Sequence, residues 1–284
     1  MIDLHAHSTE SDGSLTPEEL VRAARDAGLE ALAITDHDTL GGYVCARATA
    51  SELGLELVCG VEITASYRAL PRHNGAHLLA YFPLEPPGEE FRQWLLESQS
   101  RRQRRNERLA NRLRELGLEV DLSEVSVVAR RLVGRVHFAR VLVNKGYVRS
   151  VSEAFALYLG EGGKAHVPLE NVSLEEAITR VNAAGGLACI AHPGRLKWSL
   201  REHLAELCAM GLAGLEVYSS EHSAEQTELF RRMAESWGLV VTGGSDFHGD
   251  GRPDVRLGTG RDGNLAVPRS VLEGLRAAAS VRSR

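Results

Sequence analysis

The chain has 284 residues, of which 43% are hydrophobic and 25% are charged, and its formal net charge is -5. This composition can fill a large core and excludes wholesale disorder, and the length suits one α/β domain or one domain with an insertion. The negative charge argues against a protein that coats nucleic acid nonspecifically. No apolar run approaches the roughly 20 residues of a membrane helix. We expect no secretory leader, because two histidines stand where one would be, and four cysteines without a CxxC pair predict free thiols and a cytoplasmic location.

The first 83 residues alternate short apolar runs with amphipathic helices. The run 2–4 leads into His5 and His7, which share one side of a strand because residues two apart point the same way. Helices are predicted over 17–27, where Thr16-Pro17-Glu18-Glu19 is a good helix start, and over 39–53. The run 31–35 leads to His37, the run 57–61 leads to Glu62, and His77 begins the run 77–81. This alternation predicts a parallel sheet whose strands end in polar side chains.

The rhythm changes between residues 84 and 165. A long polar helix is predicted over about 89–116, followed by shorter helical pieces near 134–145 and 151–159. No strand with a polar end is predicted in this stretch. We therefore predict a catalytic domain formed by residues 1–83 and 166–284, and a helical insertion subdomain over 84–165 that contributes substrate contacts.

Strand and helix alternate again in the last 120 residues or so. Strands are predicted at 187–191, 214–218 and 239–243, and helices near 174–184, 200–210, 223–237 and 270–279. His192 follows the first of these strands, and Asp246 and His248 follow the last. Seven parallel strands, six of them with a polar group near one end, predict a barrel closed from β/α units, because such barrels gather these ends at one face. A doubly wound open sheet is the alternative, and it would spread the same ends along an edge.

Imidazole and carboxylate side chains at one rim are typical of a metal centre. The candidate ligands are His5, His7, Asp12, His37, Glu62, His77, His192, Asp246 and His248. Nine ligands exceed what one ion can use, so two or three ions are predicted, with Glu62 as the natural bridge. The absence of thiolate ligands favours Mn²⁺, with Fe or Zn as alternatives. Any single histidine has a structural alternative, most evenly balanced for His77.

The motifs together resemble those of the PHP (polymerase and histidinol phosphatase) superfamily of metal-dependent phosphoesterases. They are His5-Ala6-His7, Thr35-Asp36-His37-Asp38, Gly60-Val61-Glu62, His77, Ala191-His192-Pro193 and Ser245-Asp246-Phe247-His248. Within the superfamily, the chain is similar to the stand-alone bacterial group that includes nucleoside 3′,5′-bisphosphate phosphatase and ribonuclease AM. The resemblance implies a distorted seven-stranded TIM-like β/α barrel with a trinuclear metal site.

The resemblance also implies how the ligands divide among three ions. One ion would use His5, His7, Glu62 and Asp246. A second would share Glu62 and use His77 and His192. A third would use Asp12, His37 and His248.

Four further residues are candidates for binding the substrate's phosphates. Arg135 and His137 lie at the start of an insertion helix, where the resemblance places phosphate contacts, usually with Ser at the position of Gly134. Lys164 ends a glycine-rich loop, and Arg195 follows the ligand His192 by three residues. Their alternative is a solvated or structural role. The arginine run 101–108 is interpreted as mainly the solvated face of a helix.

The resulting hypothesis is a Mn²⁺-dependent phosphoesterase in which a metal-bound hydroxide attacks phosphorus, with His222 as the candidate general acid. The resemblance implies removal of the 3′-phosphate from nucleoside 3′,5′-bisphosphates, or 5′-to-3′ trimming of short 5′-phosphorylated RNA. The rivals are a phosphatase for another monoester such as histidinol phosphate, an amidohydrolase, and a non-enzymatic metal-stabilised binding module. The expected partner is a small nucleotide or RNA, with neither a membrane nor an obligate protein partner.

Overall fold

A computed structural model describes residues 1–70, 74–129 and 131–282. The first part of the barrel consists of β1 (Ile2–Ala6), α1 (Pro17–Asp26), β2 (Ala31–Ile34), α2 (Gly41–Glu52), β3 (Glu56–Ser66) and β4 (Gly75–Phe82). The insertion follows, with α3 (Glu89–Glu115), α4 (Leu122–Ala129), α5 (Arg135–Asn144), α6 (Val151–Ala154) and a π-helical turn (Phe155–Leu159).

The second part of the barrel restores the strand-helix alternation. Its elements are β5 (Val172–Ser173), α7 (Leu174–Ala183), β6 (Leu187–Ile190), α8 (Leu200–Ala209), β7 (Gly214–Ser219), α9 (Ala224–Trp237), β8 (Val240–Gly244), β9 (Val255–Arg256), β10 (Gly260–Arg261) and α10 (Ser270–Arg282). The start predicted for α1 is confirmed, because Pro17 is its first residue and Thr16 and Glu19 form a capping box on either side of it. The helix α4 was not predicted from the sequence. Among the described helices, none combines the length and the apolar character needed to cross a bilayer.

The strands form a nearly closed barrel in the order β1-β2-β3-β4-β6-β7-β8, and the short β5 pairs in parallel with the end of β3. The seam between β8 and β1 is held by two backbone hydrogen bonds: the Asp246 amide donates to the His5 carbonyl at 2.8 Å, and the His7 amide donates to the Phe247 carbonyl at 2.9 Å. The predicted barrel class is therefore confirmed. These seam hydrogen bonds join the backbone of three candidate ligands, His5, His7 and Asp246, at the same rim.

One part of the predicted topology is wrong: the barrel strands are not all parallel. Strand β4 runs antiparallel to both of its neighbours, β3 and β6. A parallel neighbour needs a crossover helix, whereas the short connection after β3 can only return the chain in the opposite direction. The reversal puts the beginning of β4 at the rim where the parallel strands end, which explains why His77 stands at the head of its run.

The helix α3 joins the barrel to the insertion. Its first half packs Phe91, Trp94 and Leu95 into the apolar cluster around the outer face of β3, β4 and β6. Its second half contributes Leu109 and Leu113 to a separate cluster formed with α4, α5 and α6. The insertion thus has its own apolar core on a helix shared with the barrel, and its division at residues 84–165 stays a prediction.

Candidate metal centre and substrate cavity

The Glu62 carboxylate lies at the centre of the candidate ligands. One oxygen, Oε1, lies 2.9 Å from His77 Nδ1 and 3.0 Å from His192 Nε2. The other, Oε2, lies 3.1 Å from His37 Nδ1, 3.2 Å from His7 Nε2 and 3.5 Å from His5 Nε2. Glu62 is buried inside β3, which continues four residues past it, rather than following a strand end as predicted. Five histidines from four different segments therefore converge on one carboxylate.

Two other carboxylates extend this cluster. Asp246 Oδ1 lies 3.3 Å from His7 Nε2 and 3.5 Å from His5 Nε2. Asp12 Oδ1 lies 3.3 Å from His248 Nε2, and its other oxygen lies 3.8 Å from His37 Nε2. All nine predicted ligands are thereby brought together.

Three overlapping groups of side chains have ligand atoms close enough to hold an ion. They are His5, His7, Glu62 and Asp246; His37, Glu62 and His77; and His7, Asp12, His37 and His248. The predicted division among three ions stays a prediction. Compared with it, His7 and His37 each belong to two of these groups, and His192 enters only through its contact with Glu62.

Three histidine ring nitrogens without hydrogen-bond partners indicate whether a metal fits this cluster. His5 Nε2, His7 Nε2 and His37 Nδ1 are buried and have no hydrogen-bond partner with acceptable geometry, although all three face Glu62 Oε2. A buried polar atom without a partner is costly, and a lone pair aimed at a carboxylate is repulsive. A cation between them removes both penalties, so the residues fit a metal.

The electrostatics of the cluster point the same way. Burial alone would disfavour the charged carboxylate, yet the imidazoles of His77, His37 and His5 hold the pKa of Glu62 well below its usual range. Burial opposes a charged His7 as well, but the carboxylates of Asp246 and Glu62 raise its pKa to about 10. The carboxylates therefore attract positive charge into a buried site, which either a proton or a metal ion can provide.

Two buried acids to which the sequence analysis assigned no role support this cluster. Glu216 Oε1 lies 2.8 Å from His5 Nδ1, and its other oxygen accepts a hydrogen bond from the His192 amide. Asp36 accepts hydrogen bonds from the Ser8 amide and the Ser11 hydroxyl, each at 2.7 Å, and so shapes the loop that carries Asp12. The available signal for Glu216 was a charged residue in the middle of an apolar strand.

The backbone at two candidate ligands adopts left-handed conformations. His192 has φ 27° and Asp246 has φ 56°, in a region that residues other than glycine rarely occupy. Asp246 is also held by arginine: Arg252 Nη1 contacts its Oδ2, and Arg195 Nη1 lies 3.5 Å from the same atom. Arg195 therefore lies at the rim as predicted, and Arg252 is a rim residue that the sequence analysis missed.

A cavity of about 360 Å³ lies between the metal-ligand cluster and the insertion. Asp12, His37 and His77 line it on the barrel side, and on the insertion side its wall includes Arg102, Arg105 and Arg135. The interpretation of the arginine run as a solvated face is wrong for Arg102 and Arg105, which are 8% and 3% exposed. The helical repeat explains this, because these two residues share the buried face of α3 with Ser98, Asn106 and Leu109.

The arginines of this cavity differ in their partners. Arg102 forms an ion pair with Asp38 and donates to the Thr64 hydroxyl at 2.9 Å. Arg135 donates to the Leu159 carbonyl at 3.4 Å and stacks over the Phe155 ring. No carboxylate pairs with Arg105 in the described part of the chain, and burial lowers its pKa to about 9. The cavity thus contains a buried guanidinium that lacks an anion.

The other predicted substrate residues lie elsewhere. Among the described residues, the cavity wall includes neither His137 nor Lys164, and the Lys164 side chain is exposed. His137 is buried, and its Nδ1 accepts a hydrogen bond from the Gly134 amide at 2.9 Å. Both nitrogens of His222 are used: Nδ1 donates to the Val217 carbonyl at 2.9 Å, and Nε2 accepts from the Gly194 amide at 3.2 Å. Burial also lowers the pKa of His222, so this arrangement disfavours its predicted role as general acid.

We expect His137 to make the fold sensitive to acid. Burial lowers its pKa to about 4, against 6.5 in the unfolded chain, so between these values the unfolded chain binds a proton that the folded chain does not. Stability should therefore fall as the pH decreases through this window. His137→Gln keeps an acceptor for the Gly134 amide but cannot titrate, and it should flatten the decrease. Urea unfolding of both proteins in EDTA, from about pH 7 to pH 4.5, measures this, and equal losses in both would contradict the assignment.

A β/α barrel with clustered imidazole and carboxylate ligands at one rim, next to a cationic cavity, defines a hydrolase of the metal-assisted phosphoesterase class. The PHP domain family model matches residues 3–168, more than half of the chain. The chain therefore belongs to the PHP domain family, and it is a hydrolase acting on phosphate esters.

Individual relatives agree with this assignment. The chain is 35% identical to a 5′-3′ exoribonuclease of Haemophilus influenzae, with 87% of this chain and 89% of that protein covered. It is 34% identical to the 3′,5′-nucleoside bisphosphate phosphatase of Chromobacterium violaceum, with 89% and 90% covered.

Solved structures share the fold over nearly the full length. A Bifidobacterium adolescentis protein assigned as a metal-dependent phosphoesterase has a TM-score of 0.85 and 33% identity, with 98% of this chain and 96% of that chain covered. A protein of Chromobacterium violaceum described as an amidohydrolase, with bound sulfate and no metal, has a TM-score of 0.82 and 31% identity, with 96% of both chains covered.

Proposed function

We propose that the protein hydrolyses the 3′-phosphate of nucleoside 3′,5′-bisphosphates, releases mononucleotides from the 5′ end of short 5′-phosphorylated RNA, or does both. One observation carries the proposal: a single cavity joins a metal-ligand cluster to a wall with three arginines, and Arg105 among them has no carboxylate partner in the described part of the chain. A substrate with two phosphates can place one at each end. The relatives named above act on such nucleotides or on RNA.

The metal ligands in this proposal are the nine residues of the cluster. His5, His7, Glu62 and Asp246 would hold one ion, Glu62, His77 and His192 a second, and Asp12, His37 and His248 a third. The nitrogen and oxygen donors suit Mn²⁺, with Fe or Zn as alternatives. When bound, such ions polarise the phosphoryl oxygens and lower the pKa of water to about 7.

The chain's own residues would bind and orient the substrate. Arg105, which has no anion of its own, would take the phosphate that is not cleaved, with Arg102 and Arg135 on either side. The Nδ1 of His137 is an acceptor, so its Nε2 carries the proton. Because His137 lies outside the cavity wall, its contact with the phosphate requires the start of α5 to move. Arg195 and Arg252, which converge on Asp246, would hold Asp246 in place and stabilise negative charge at the reacting phosphate. A role for Lys164 requires its loop to move over the cavity.

The rival functions use these features less well. A monoester such as histidinol phosphate brings one phosphate and leaves Arg105 unpaired. Amidohydrolases of this general type bridge their metals with a lysine, whereas here Glu62 stands at the centre and the three lysines, Lys145, Lys164 and Lys197, lie outside the strands. The partner that we propose is a nucleotide or an RNA. We also propose that the protein acts in the cytoplasm.

Turnover of two substrates tests the proposal. The Mn²⁺-loaded protein is given adenosine 3′,5′-bisphosphate and, separately, a 5′-phosphorylated RNA of a few nucleotides, and released phosphate and mononucleotides are measured. Phosphate from the first substrate alone identifies a nucleotide phosphatase, and mononucleotides from the second identify an exoribonuclease. Release from neither substrate, with hydrolysis of a simple monoester, would reject the nucleotide assignment.

A further inference from the structure

Glu216 occupies a position between two candidate ligands from different strands. It lies in β7 between Leu215 and Val217, and its side chain is fully buried. One carboxylate oxygen lies 2.8 Å from His5 Nδ1 in β1, and the other accepts a hydrogen bond from the His192 amide, just after β6. A single carboxylate therefore contacts both the ring of one candidate ligand and the backbone of another.

The contact with His5 determines which ring nitrogen can bind a metal. A carboxylate only accepts hydrogen bonds, so the proton of neutral His5 must sit on Nδ1. The other nitrogen, Nε2, is then a lone pair, and it is the nitrogen that faces Glu62 and Asp246 without a hydrogen-bond partner. Carboxylates behind a metal-binding histidine fix its tautomer and orientation in this way.

The contact with His192 acts on the backbone. His192 has φ 27° and ψ 61°, a conformation that is strained for a residue with a β-carbon. The hydrogen bond from its amide to Glu216 holds the chain in this turn, which brings His192 Nε2 to 3.0 Å from Glu62. Without this hydrogen bond, the strained turn at His192 would be less stable, and the His192 ring would leave the cluster.

We infer that Glu216 is a positioning residue that holds His5 and His192 together in the metal centre, so that the ions using these two ligands bind as a coupled pair. This inference rests on the proposed metal centre but not on the proposed substrate. It gives β7, which contributes none of the nine predicted ligands, a role in metal binding.

The test uses Mn²⁺ alone as the probe. Metal-free wild type and Glu216→Gln are titrated with Mn²⁺, and free Mn²⁺ is followed by electron paramagnetic resonance. The Gln amide presents N–H to a site that has only donors, so Mn²⁺ should bind roughly 10–100-fold more weakly, the range seen when such supporting groups are removed. Glu176→Gln is the matched control, because Glu176 accepts from the Trp94 indole on an outer helix and should leave Mn²⁺ affinity unchanged.

Unchanged Mn²⁺ affinity in a folded Glu216→Gln protein would overturn the inference. If this variant fails to fold, the wild type decides the question by ¹⁵N NMR of labelled histidines, with His5→Asn used to assign the signal. A proton on His5 Nδ1 supports the inference, and a ring without a proton on Nδ1 overturns it. A wild type that binds no Mn²⁺ overturns both the metal centre and the role of Glu216, whereas Mn²⁺ binding without nucleotide turnover affects only the proposed function.

Discussion

Glu62→Gln is expected to reduce turnover by more than about 100-fold, beyond the range for removing a group that merely supports a ligand. Each Glu62 oxygen faces at least two histidine rings, and the amide of Gln can supply only one oxygen. Its N–H groups would point at the histidine nitrogens that should bind a metal. The measurement is Mn²⁺-dependent phosphate release from adenosine 3′,5′-bisphosphate, together with the metal content of the purified protein.

A control for this variant lies on the same strand. Glu56 begins β3 at the opposite end of the barrel and pairs with Arg269 at 2.6 Å. Glu56→Gln removes an equal charge from the same strand and should retain turnover and metal. Full activity in Glu62→Gln, or an equal loss in both variants, would rule out Glu62 as the bridging ligand.

Arg105→Met is expected to weaken substrate capture without lowering the stability of the protein. For adenosine 3′,5′-bisphosphate, kcat/KM should fall about 10- to 150-fold, which corresponds to roughly 1.5–3 kcal/mol for a lost charged hydrogen bond. The free energy of unfolding without substrate should stay equal or rise, because the variant removes a buried charge without a carboxylate partner. Steady-state kinetics and urea unfolding on the same preparations measure the two effects.

The neighbouring residue provides the comparison. Arg104 precedes Arg105 on α3 but points to solvent, so Arg104→Met removes the same charge from the same helix without touching the cavity. It should leave both kcat/KM and stability unchanged. A similar loss of kcat/KM in both variants would mean that the helix acts through its general charge and not through an anion site at Arg105.

Short-range patterns were enough to predict that most of the candidate ligands lie close together. His5 and His7 share a side of β1 because strands repeat every two residues, and His37, His192, Asp246 and His248 follow strands whose ends must meet at one rim. These relations depend only on local periodicity and on a rule for barrels. The nine candidate ligands are accordingly close together in the structure.

The remaining features depend on pairings that no local pattern contains. The direction of β4 is set by the neighbours that it joins, and an apolar run has the same sequence pattern in either direction. Arg102 and Arg105 look like solvated residues in a polar helix until the insertion covers their face. Glu216 and Arg252 act through residues that are distant in sequence. Each of these required tertiary contacts to become visible.

In the proposed function, the helix α3 would set the size of the unit that is removed from RNA. It is 27 residues long, or about 40 Å at 1.5 Å per residue, and it is anchored in the barrel core at one end and in the insertion core at the other. Arg102 and Arg105 lie between these anchors, so the packing of α3 fixes their position relative to the barrel strands that carry the candidate metal ligands. The distance between the phosphate that is bound and the phosphate that is cleaved would then be fixed. On RNA, every cleavage would release a product of the same length, and the newly exposed 5′ end would bind in the same position for the next cleavage.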